Sequence, residues 1–466
     1  MSVEELYPVD RVKHSPFLYY PNVNTDTDAV TPESARRFAD ALSAPASAGR
    51  KAALYVHVPF CKNHCTFCFY NIDVVKRTDP TMRRYVDSLL REMRAFAESA
   101  YVQGLTIENV FIGGGTPSML PDDALRDVLI ALRRHFDLSG VLDFTIEMHL
   151  ETMTASNLEI CRELGVNRVS FGWQTSIPRL RKLLAVLPSE ETLHEVVRHL
   201  QRLDFPLVWD LMYALPGQTD EEWEEDLRRS IEFGVACIDI HRCDIVPPAP
   251  LYDLVRAGKI AGLATPQQQL DQYRIAHRVL LEQGYAFNTF GQFNRPDVPK
   301  AVSHHGRNMY RSSHDLLALG PGAIGVVADS AYMNARDLGD YALRTERDGR
   351  ATACVCAIAD ETWQERDFVL GLGQLWSVPK SLLRGPLSDH QEQVVERLVA
   401  HGALEETADE YRLTDGAVGY HFSIAHEFVP RHQVGRNVGY LRAIRAEVDR
   451  RRRRQRPGEA SSAADR

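Results

Sequence analysis

The stretch AALYVHVPFCKNHCTFCFYN, residues 52–71, decides the fold and carries the main chemical signal of the chain. Its first seven residues are apolar and mostly β-prone, which predicts a buried strand. Pro59 ends this strand, and the loop that follows holds Cys61, Cys65 and Cys68 in a C-x-x-x-C-x-x-C spacing. A strand that leads directly into three closely spaced thiols predicts that one compact inorganic centre is bound at its end.

The number of thiols limits which centre this loop can hold. A structural zinc site takes four protein ligands, and the sequence offers no fourth Cys or well-spaced His. His64 lies inside the loop, but adjacent residues seldom share one small ion, and its neighbour Cys65 is already a ligand. Three thiolates suit a [4Fe–4S] cluster with one iron left open for a substrate or cofactor. The alternative is a disulfide pair plus an odd thiol, which is rare in a chain of cytosolic character.

The bulk composition is that of a folded protein of two or three domains. The chain has 466 residues, of which 44% are hydrophobic and 25% charged, so it can bury a sizeable core. Its formal charge of −9 gives no support for nucleic-acid binding. The sequence has no apolar run of about 18 residues and no basic leader with an apolar core. We therefore expect a cytoplasmic protein that acts on a small-molecule substrate, without a nucleic-acid or membrane partner.

After the cysteine loop, β-like and helical segments alternate along the chain. This alternation predicts an α/β fold in which a parallel sheet is covered by helices, with its chemistry at the carboxyl ends of the strands. The candidate strands that follow the first one are residues 107–112, 143–150, 168–173, 206–215, 237–245 and 286–293. The clearest candidate helices are residues 80–97, 121–136 and 219–233.

The composition divides the chain into four predicted parts. These are a leader segment at 1–50, the α/β barrel at 51–298, a mixed helical C-terminal domain at 299–445 and a disordered basic tail at 446–466. The C-terminal domain departs from the regular alternation of the barrel. Its predicted elements are helices at 361–370 and 391–401 and a short hairpin at 404–413.

The cysteine loop and its preceding strand resemble the cluster motif of radical S-adenosylmethionine (SAM) enzymes. The string YVHVPFC resembles the branch that contains oxygen-independent coproporphyrinogen III oxidase. This resemblance implies a partial (β/α)6 barrel with a winged C-terminal domain. It also implies that Cys61, Cys65 and Cys68 hold a [4Fe–4S] cluster whose open iron binds the amino and carboxylate groups of SAM. The reduced cluster would cleave SAM to a 5′-deoxyadenosyl radical, with a flavodoxin or ferredoxin as the electron donor.

A glycine-rich string follows the next predicted strand. In GGGTP, residues 113–117, the missing Cβ atoms let backbone amides approach a ligand. A phosphate-binding loop would need a Lys that is absent here, and a plain tight turn is the other interpretation. The string resembles the family motif that holds the amino group of the cluster-bound SAM, which assigns this role to Gly114, Gly115 and Thr116.

Four further residues are candidates for contact with the cleaved SAM or the cluster. An aromatic face can support a sulfonium cation, so Tyr55 has a binding role as the alternative to packing in the core. By the same resemblance, Glu147, in FTIEMHL, would bind the ribose, and Ile324, in ALGPGAIG, would contact SAM through its backbone. Phe67 would shield the cluster or stack on the adenine.

A second SAM molecule is implied by two later motifs. Gln174, in SFGWQ, and Asp210, in WDLMYALPGQ, match positions that contact a second SAM in the oxidase. Two departures argue against porphyrinogen decarboxylation. Tyr70 stands where the oxidase has a further cysteine, and Val186 stands where the oxidase has an arginine that touches the second SAM.

Three functions share this resemblance. The first is the oxidase, and the second is a heme chaperone, for which His305 in HHGRNMY would be the heme ligand although the match to the chaperone motif is loose. The third is the class C group of two-SAM C-methyltransferases and cyclopropanases, many of which act on natural products. A related branch opens heme by radical methylation and has a similar CTFCF string. We favour the third function, with the heme-linked functions as alternatives.

Overall fold

The computed structural model describes residues 2–11, 20–23, 28–247 and 249–430. Its strands, labelled in chain order, are β1 (Lys51–Val58), β2 (Phe60–Cys61), β3 (Asp73–Val74), β4 (Thr106–Gly114), β5 (Asp143–Met148), β6 (Arg168–Gln174), β7 (Leu207–Tyr213), β8 (Cys237–Arg242), β9 (Ala286–Phe287), β10 (Gln292–Asn294), β11 (His314–Leu319), β12 (Ile324–Val327), β13 (Ser330–Asn334), β14 (Thr352–Ala357), β15 (Ser377–Pro379), β16 (Leu404–Glu406) and β17 (Glu410–Leu413).

The α-helices of the same described ranges are α1 (Val3–Leu6), α2 (Pro32–Ser43), α3 (Thr81–Ala97), α4 (Ala100–Gln103), α5 (Asp122–His135), α6 (Ala155–Glu163), α7 (Pro178–Leu184), α8 (Glu190–Arg202), α9 (Asp220–Glu232), α10 (Pro250–Arg256), α11 (Pro266–Glu282), α12 (His304–Asn308), α13 (Leu338–Asp348), α14 (Asp360–Leu370), α15 (Asp389–Ala400) and α16 (His421–Glu427). A π-helical turn, Gly371–Leu375, continues α14.

Six parallel strands form the centre of the main sheet in the order β1-β4-β5-β6-β7-β8. Helices connect most of these strands, as the alternation in the sequence predicts, and the parallel barrel-like core is confirmed. Along β1, Leu54, Val56 and Val58 are fully buried in the core that the sheet shares with its outer helices. The residues between them, Tyr55 and His57, therefore point to the other face, which lines the lumen.

The barrel strand predicted at residues 286–293 is not present in the structure. Residues 286–293 form the two short strands β9 and β10, which pair antiparallel instead of making one barrel strand. The chain turns between them, where the Gln292 amide donates to the Thr289 carbonyl at 3.0 Å and the Asn288 amide donates to the Gln292 carbonyl at 2.8 Å. Polar side chains and Gly291 interrupt the apolar pattern at this turn, and the local hydrogen bonds replace a continuous strand.

The chain beyond residue 298 first closes the barrel and then extends its sheet. A short segment that includes α12 contacts β1 and β4 and lies at the end of the lumen opposite the cysteine loop. Strand β11 then pairs parallel with β1, and β12, β13 and β14 continue the sheet antiparallel. The sequence pattern did not predict that these four strands belong to the main sheet.

The remaining elements pack around a second apolar core that includes Leu270, Phe368, Leu398 and Ile424. Strands β16 and β17 form the predicted antiparallel hairpin, and β15 adds a third strand to it. The division of the chain into domains stays a prediction, and the basic tail predicted at 446–466 lies outside the described residues. Within the described ranges, no helix is both long and apolar enough to cross a lipid bilayer.

Candidate active site

The cysteine loop is fixed to the barrel at several points. The first two residues after Pro59 form β2, which pairs with β3, so the loop is closed at its base. The Thr66 amide donates to the Leu184 carbonyl at 3.1 Å, and the Thr66 hydroxyl donates to the Leu183 carbonyl at 2.8 Å. The Asn63 side chain donates to the Ala185 carbonyl at 3.3 Å. These contacts hold the loop against α7, at the carboxyl end of the strands.

The three loop cysteines are free thiols in a common, largely desolvated setting. Burial raises the pKa of the Cys61 thiol to about 12 and that of Cys65 to about 11, and it raises the pKa of Cys68 as well. Cys68 interacts electrostatically with both Cys61 and Cys65, so the three sulfur atoms face one region. Thiolates are therefore unfavourable here unless a cationic centre holds them, which fits an iron–sulfur cluster. The alternative of a disulfide pair is wrong, because all eight cysteines lie in the described residues and all are free.

The glycine string at the end of β4 packs tightly against the cysteine loop. Gly114 has a φ of +107°, and a Cβ there would lie 2.5 Å from Nδ1 of His57. A Cβ on Gly115 would lie 2.7 Å from the Phe60 carbonyl oxygen. The Thr116 hydroxyl lies 3.5 Å from Sγ of Cys61. Only glycine permits this approach, which places a stretch of backbone directly beside the thiols.

Tyr55 and His57 lie on the lumen face of β1, next to this glycine turn. The Tyr55 hydroxyl and Nδ1 of His57 are 2.9 Å apart, and Nε2 of His57 is 2.9 Å from the Asn71 carbonyl oxygen. The Tyr55 ring also stacks on Phe111, with ring centroids 6.1 Å apart. Tyr55 therefore both packs against neighbouring rings and forms part of the lumen wall. Its expected contact with a sulfonium stays a prediction.

Carboxylates from three strands gather in the lumen. Burial, followed by the neighbouring Asp210 carboxylate, raises the pKa of Glu147 to about 8. Burial and the neighbouring Asp239 raise the pKa of Asp210 well above its usual range. A Cβ on Gly113 would lie 2.9 Å from Oε2 of Glu147, so the glycine string borders this carboxylate. The lumen therefore favours a ligand that brings positive charge or hydrogen-bond donors.

Two residues beside Asp210 in the lumen, Asp239 and His241, were not predicted from the sequence. Asp239 pairs in register with Asp210, and His241, two residues further along β8, faces the same side of the sheet. Ligand atoms of these three residues all lie within 4.8 Å of one another. The Gln292 side chain donates to Oδ2 of Asp239 at 2.8 Å and so orients it. The alternation in CIDIHR puts Asp239 and His241 on one face of the strand, but their position beside Asp210 depends on the register between β7 and β8.

Gln174 reaches this region through an irregularity in β6. The register with β7 shifts between Gly172 and Gln174, and Gln174 has a φ of +70°. A Cβ on Gly172 would lie 2.0 Å from Nε2 of Gln174, so the amide folds back over Gly172, which itself pairs with Asp210. The structure therefore brings Gln174 near Asp210, as the two motifs predict.

The remaining predicted residues lie at the edges of the site. Phe67 is partly buried against an apolar cluster that includes Leu184. Ile324 begins β12 and is 5% exposed. Val186 is buried in the same apolar cluster as Leu184, so it does not replace the arginine of the oxidase. The guanidinium of Arg181 lies 3.9 Å from the centroid of the Trp173 ring, and Arg181 donates to backbone carbonyls, so this cation is used structurally.

His305, which would ligate heme under the chaperone alternative, is buried in the closed end of the lumen. Its Nδ1 lies 3.2 Å from Oδ1 of Asn109, and its ring stacks on Phe111 with centroids 5.0 Å apart. Burial and the Arg168 guanidinium lower the pKa of His305 to about 3. The imidazole is 5% exposed and neutral, which makes it a core residue in this structure.

Comparison with known proteins shows which family one part of the chain is similar to. The family model described as the Radical SAM superfamily matches residues 55–229, which contain the cysteine loop and the glycine string. Over these residues, which are fewer than half of the chain, the protein is similar to radical SAM enzymes. Proteins of that superfamily hold a [4Fe–4S] cluster and SAM, and the three free thiols of the loop have the chemistry that such a cluster needs.

Two curated relatives are similar to this chain in sequence. It is 30% identical over 295 residues to anaerobilin synthase of Escherichia coli O157:H7, covering 62% of this chain and 64% of that protein. It is 27% identical over 332 residues to oxygen-independent coproporphyrinogen III oxidase of E. coli K12, covering 69% and 72%. The chain thus spans just under two thirds of the first of these relatives.

The solved structure of coproporphyrinogen III oxidase (HemN) from E. coli shares the fold of this chain. Its TM-score is 0.75 at 23% sequence identity, and the match covers 89% of this chain and 96% of that one. The similarity confirms the expected fold class of a radical SAM barrel with a C-terminal helical region. Neither curated relative is named a methyltransferase or a cyclopropanase.

Proposed function

We propose that this protein is a radical SAM enzyme that cleaves one SAM reductively and transfers a methyl or methylene group from a second SAM to a substrate carbon. The observation that carries this proposal is the continuity of the site. The thiols of the cysteine loop interact electrostatically with Glu147, and Glu147 interacts with Asp210 on the next strand but one. A ligand at the cluster and a second cationic ligand beside Asp210 would therefore share one lumen.

The residues around the thiols suit the SAM that is cleaved. Cys61, Cys65 and Cys68 would hold the cluster, which with SAM supplies one-electron cleavage of a carbon–sulfur bond. Gly114 and its neighbours present backbone amides without Cβ atoms. Burial raises the pKa of Glu147 to about 8, so a ligand that donates hydrogen bonds or brings positive charge would stabilise its charged form. Phe67 and the buried walls of the lumen exclude water from the reacting atoms.

The second donor would lie over β6, β7 and β8. Gln174 offers an amide that both donates and accepts, and Asp210, Asp239 and His241 place ligand atoms within 4.8 Å of one another. Such a set matches a sulfonium and an α-amino group, which are the cationic parts of SAM. The same residues would keep the two SAM molecules in a fixed relation, which is the main protein contribution to a transfer between bound ligands.

A tetrapyrrole substrate is the second candidate. The names of the two curated relatives, an anaerobilin synthase and a coproporphyrinogen III oxidase, favour it. The absence of the second-site arginine at Val186 and of the further cysteine at Tyr70 favours a different reaction from that of the oxidase. The two candidate functions differ in which molecule accepts the transferred group. Both can use SAM in the same way.

The test is anaerobic reconstitution of the cluster followed by product analysis by mass spectrometry. With SAM and a reductant we expect 5′-deoxyadenosine, and with an acceptor in a metabolite extract we expect S-adenosylhomocysteine in matched amounts. Heme is added in a parallel reaction as the tetrapyrrole acceptor. Cys65→Ala should abolish both products, while Cys356→Ala, which changes a thiol on β14, should retain both.

A variant of the second site separates the two roles of SAM. Asp210→Asn should lose S-adenosylhomocysteine while retaining most of the 5′-deoxyadenosine, because Asp210 belongs to the second donor's set. Equal loss of both products in this variant would contradict the assignment of Asp210. Formation of 5′-deoxyadenosine without any S-adenosylhomocysteine, with every acceptor, would contradict methyl or methylene transfer.

A further inference from the structure

A buried carboxylate outside the lumen bears on the site. Glu92 lies on α3, behind β1, and is 0% exposed. Its Oε2 accepts hydrogen bonds from the Gly320 amide at 2.8 Å and from the Tyr341 hydroxyl at 2.7 Å. Its Oε1 accepts from Nδ2 of Asn334 at 2.7 Å. Three donors from three separate parts of the chain thus converge on one carboxylate.

One of these donors, the Gly320 amide, belongs to the turn that leads into β12. Nδ2 of Asn334 also donates to the Gly320 carbonyl at 2.9 Å, so Glu92 and Asn334 together hold both polar groups of Gly320. The Asn334 amide donates to the Ala323 carbonyl at 2.9 Å, which ties the other end of the turn to β13. Residues 320–324 are therefore fixed from behind by hydrogen bonds that converge near one side chain.

The same turn touches the lumen on its other side. Gly320 has a φ of +98°, and a Cβ there would lie 2.4 Å from the His57 carbonyl oxygen. The Asn71 side chain, at the end of the cysteine loop, donates to the Pro321 carbonyl at 3.2 Å. The turn thus borders His57 and the cysteine loop at once, and any shift of it is transmitted to both.

Burying a carboxylate costs more than burying an apolar side chain of similar volume, and such a group is often replaceable where only stability is needed. A leucine or methionine on α3 would fill the same space but could not hold the Gly320 amide and the Asn334 side chain. A carboxylate at position 92 is explained by the hydrogen bonds through which it orients the 320–324 turn.

We propose that Glu92 is a positioning residue for the cleaved SAM, acting through Gly320 and Asn334 to fix the 320–324 turn beside His57 and the cysteine loop. This inference rests on the proposed function, since it assigns the turn to the wall of the SAM site. Glu92 itself touches neither the lumen nor the thiols, so its effect is indirect.

The test compares Glu92→Gln with wild type in the cluster-reconstituted full chain. Gln has the same shape, but its amide nitrogen cannot accept, so at least one of the three donors is left without a partner. We expect SAM binding measured by calorimetry to weaken by about ten-fold or more. Iron content and kcat at saturating SAM should be retained, so the loss appears in KM. Hydrogen exchange should rise in residues 320–324 and not throughout the barrel.

Two further variants keep the test decisive. Tyr341→Phe removes one donor and should weaken SAM binding by less than Glu92→Gln, and it replaces the first variant if that one fails to fold. Glu98→Gln changes an exposed carboxylate at the end of the same helix and should leave SAM binding unchanged.

The outcomes separate this inference from the proposed function. Wild-type SAM affinity in both Glu92→Gln and Tyr341→Phe, or a rise in exchange spread evenly over the barrel, would overturn the positioning role alone. Failure of reconstituted wild type to bind SAM would overturn the proposed function, and the positioning role with it.

Discussion

The charge of the lumen depends most clearly on whether the Glu147 carboxyl group is ionised. Burial raises its folded-state pKa to about 8 from an ordinary value of 4.5. A carboxyl whose pKa is raised on folding stabilises the folded state at low pH, and this contribution is lost as the pH rises through the folded value. Between about pH 5 and pH 8, ionisation of Glu147 should therefore progressively destabilise the SAM-free protein.

Glu147→Gln tests this expectation. The melting temperature of the SAM-free protein should fall less between pH 5 and pH 8 in the variant than in wild type, because the amide does not ionise. Glu163→Gln is the control, since the Arg126 guanidinium lowers the pKa of this exposed carboxylate below its usual range. Identical pH slopes in wild type and Glu147→Gln would show that Glu147 is not held in its protonated form.

At the residue scale, the sequence predicted the members of the site that lie in recognisable strings. The sequence alone was sufficient to predict Cys61, Cys65 and Cys68, because their spacing limits which inorganic centre they can hold. Asp239 and His241 were missed because a polar residue in a strand has two equivalent faces until the register with its neighbour is known. The pairing of β7 with β8 supplies that register, and no local signal in the sequence does.

The turn at the end of β4 is the element whose geometry is most constrained. Gly114 combines a φ of +107° with a contact to the His57 ring that leaves no room for a Cβ. Gly114→Ala should therefore lower the free energy of unfolding by more than about 1 kcal/mol, since alanine is strained at positive φ. It should also weaken SAM binding, because the turn must move away from β1.

Gly385→Ala is the matched control for this element. Gly385 has no heavy atom within 4 Å of a Cβ position, and its φ lies outside the left-handed region. Urea unfolding and SAM calorimetry should give wild-type values for Gly385→Ala. A Gly114→Ala protein with wild-type stability and SAM affinity would mean that the turn is not a rigid part of the site.

At the element scale, alternation and apolar periodicity were sufficient for the helices and strands of the barrel. They failed at residues 286–293, where local hydrogen bonds in the turn outweigh the β-propensity of the flanking residues. They also missed the shift in β6 at Gln174, because a bulge changes which face a residue takes without changing the composition of the strand.

For the whole molecule, the order of strands in the centre of the sheet followed from the parallel β/α units. The pairing of β11 with β1 could not be predicted from these units, because it depends on contacts between segments more than 250 residues apart. The same pairing brings Gly320, Asn334 and Tyr341 to Glu92. The part of the chain after the barrel therefore both extends the sheet and supplies the donors that Glu92 accepts from.

The closed end of the lumen gives a prediction that concerns heme. Arg168 donates to the Ala301 carbonyl at 3.1 Å, and His305 packs between the barrel strands above it, so the segment around α12 seals this end. A buried neutral imidazole in such a plug is not available to ligate iron. Spectroscopic titration with heme should therefore give the same affinity for wild type, His305→Phe and His304→Ala.

The His305→Phe protein should instead be less stable. Phenylalanine keeps the ring stack on Phe111 but leaves Oδ1 of Asn109 without this partner, which should cost about 1–3 kcal/mol in urea unfolding. If heme affinity were present in wild type and lost only in His305→Phe, the plug would have to open in solution. The lumen would then be a heme channel, and a heme-handling role would replace methyl or methylene transfer as the preferred function.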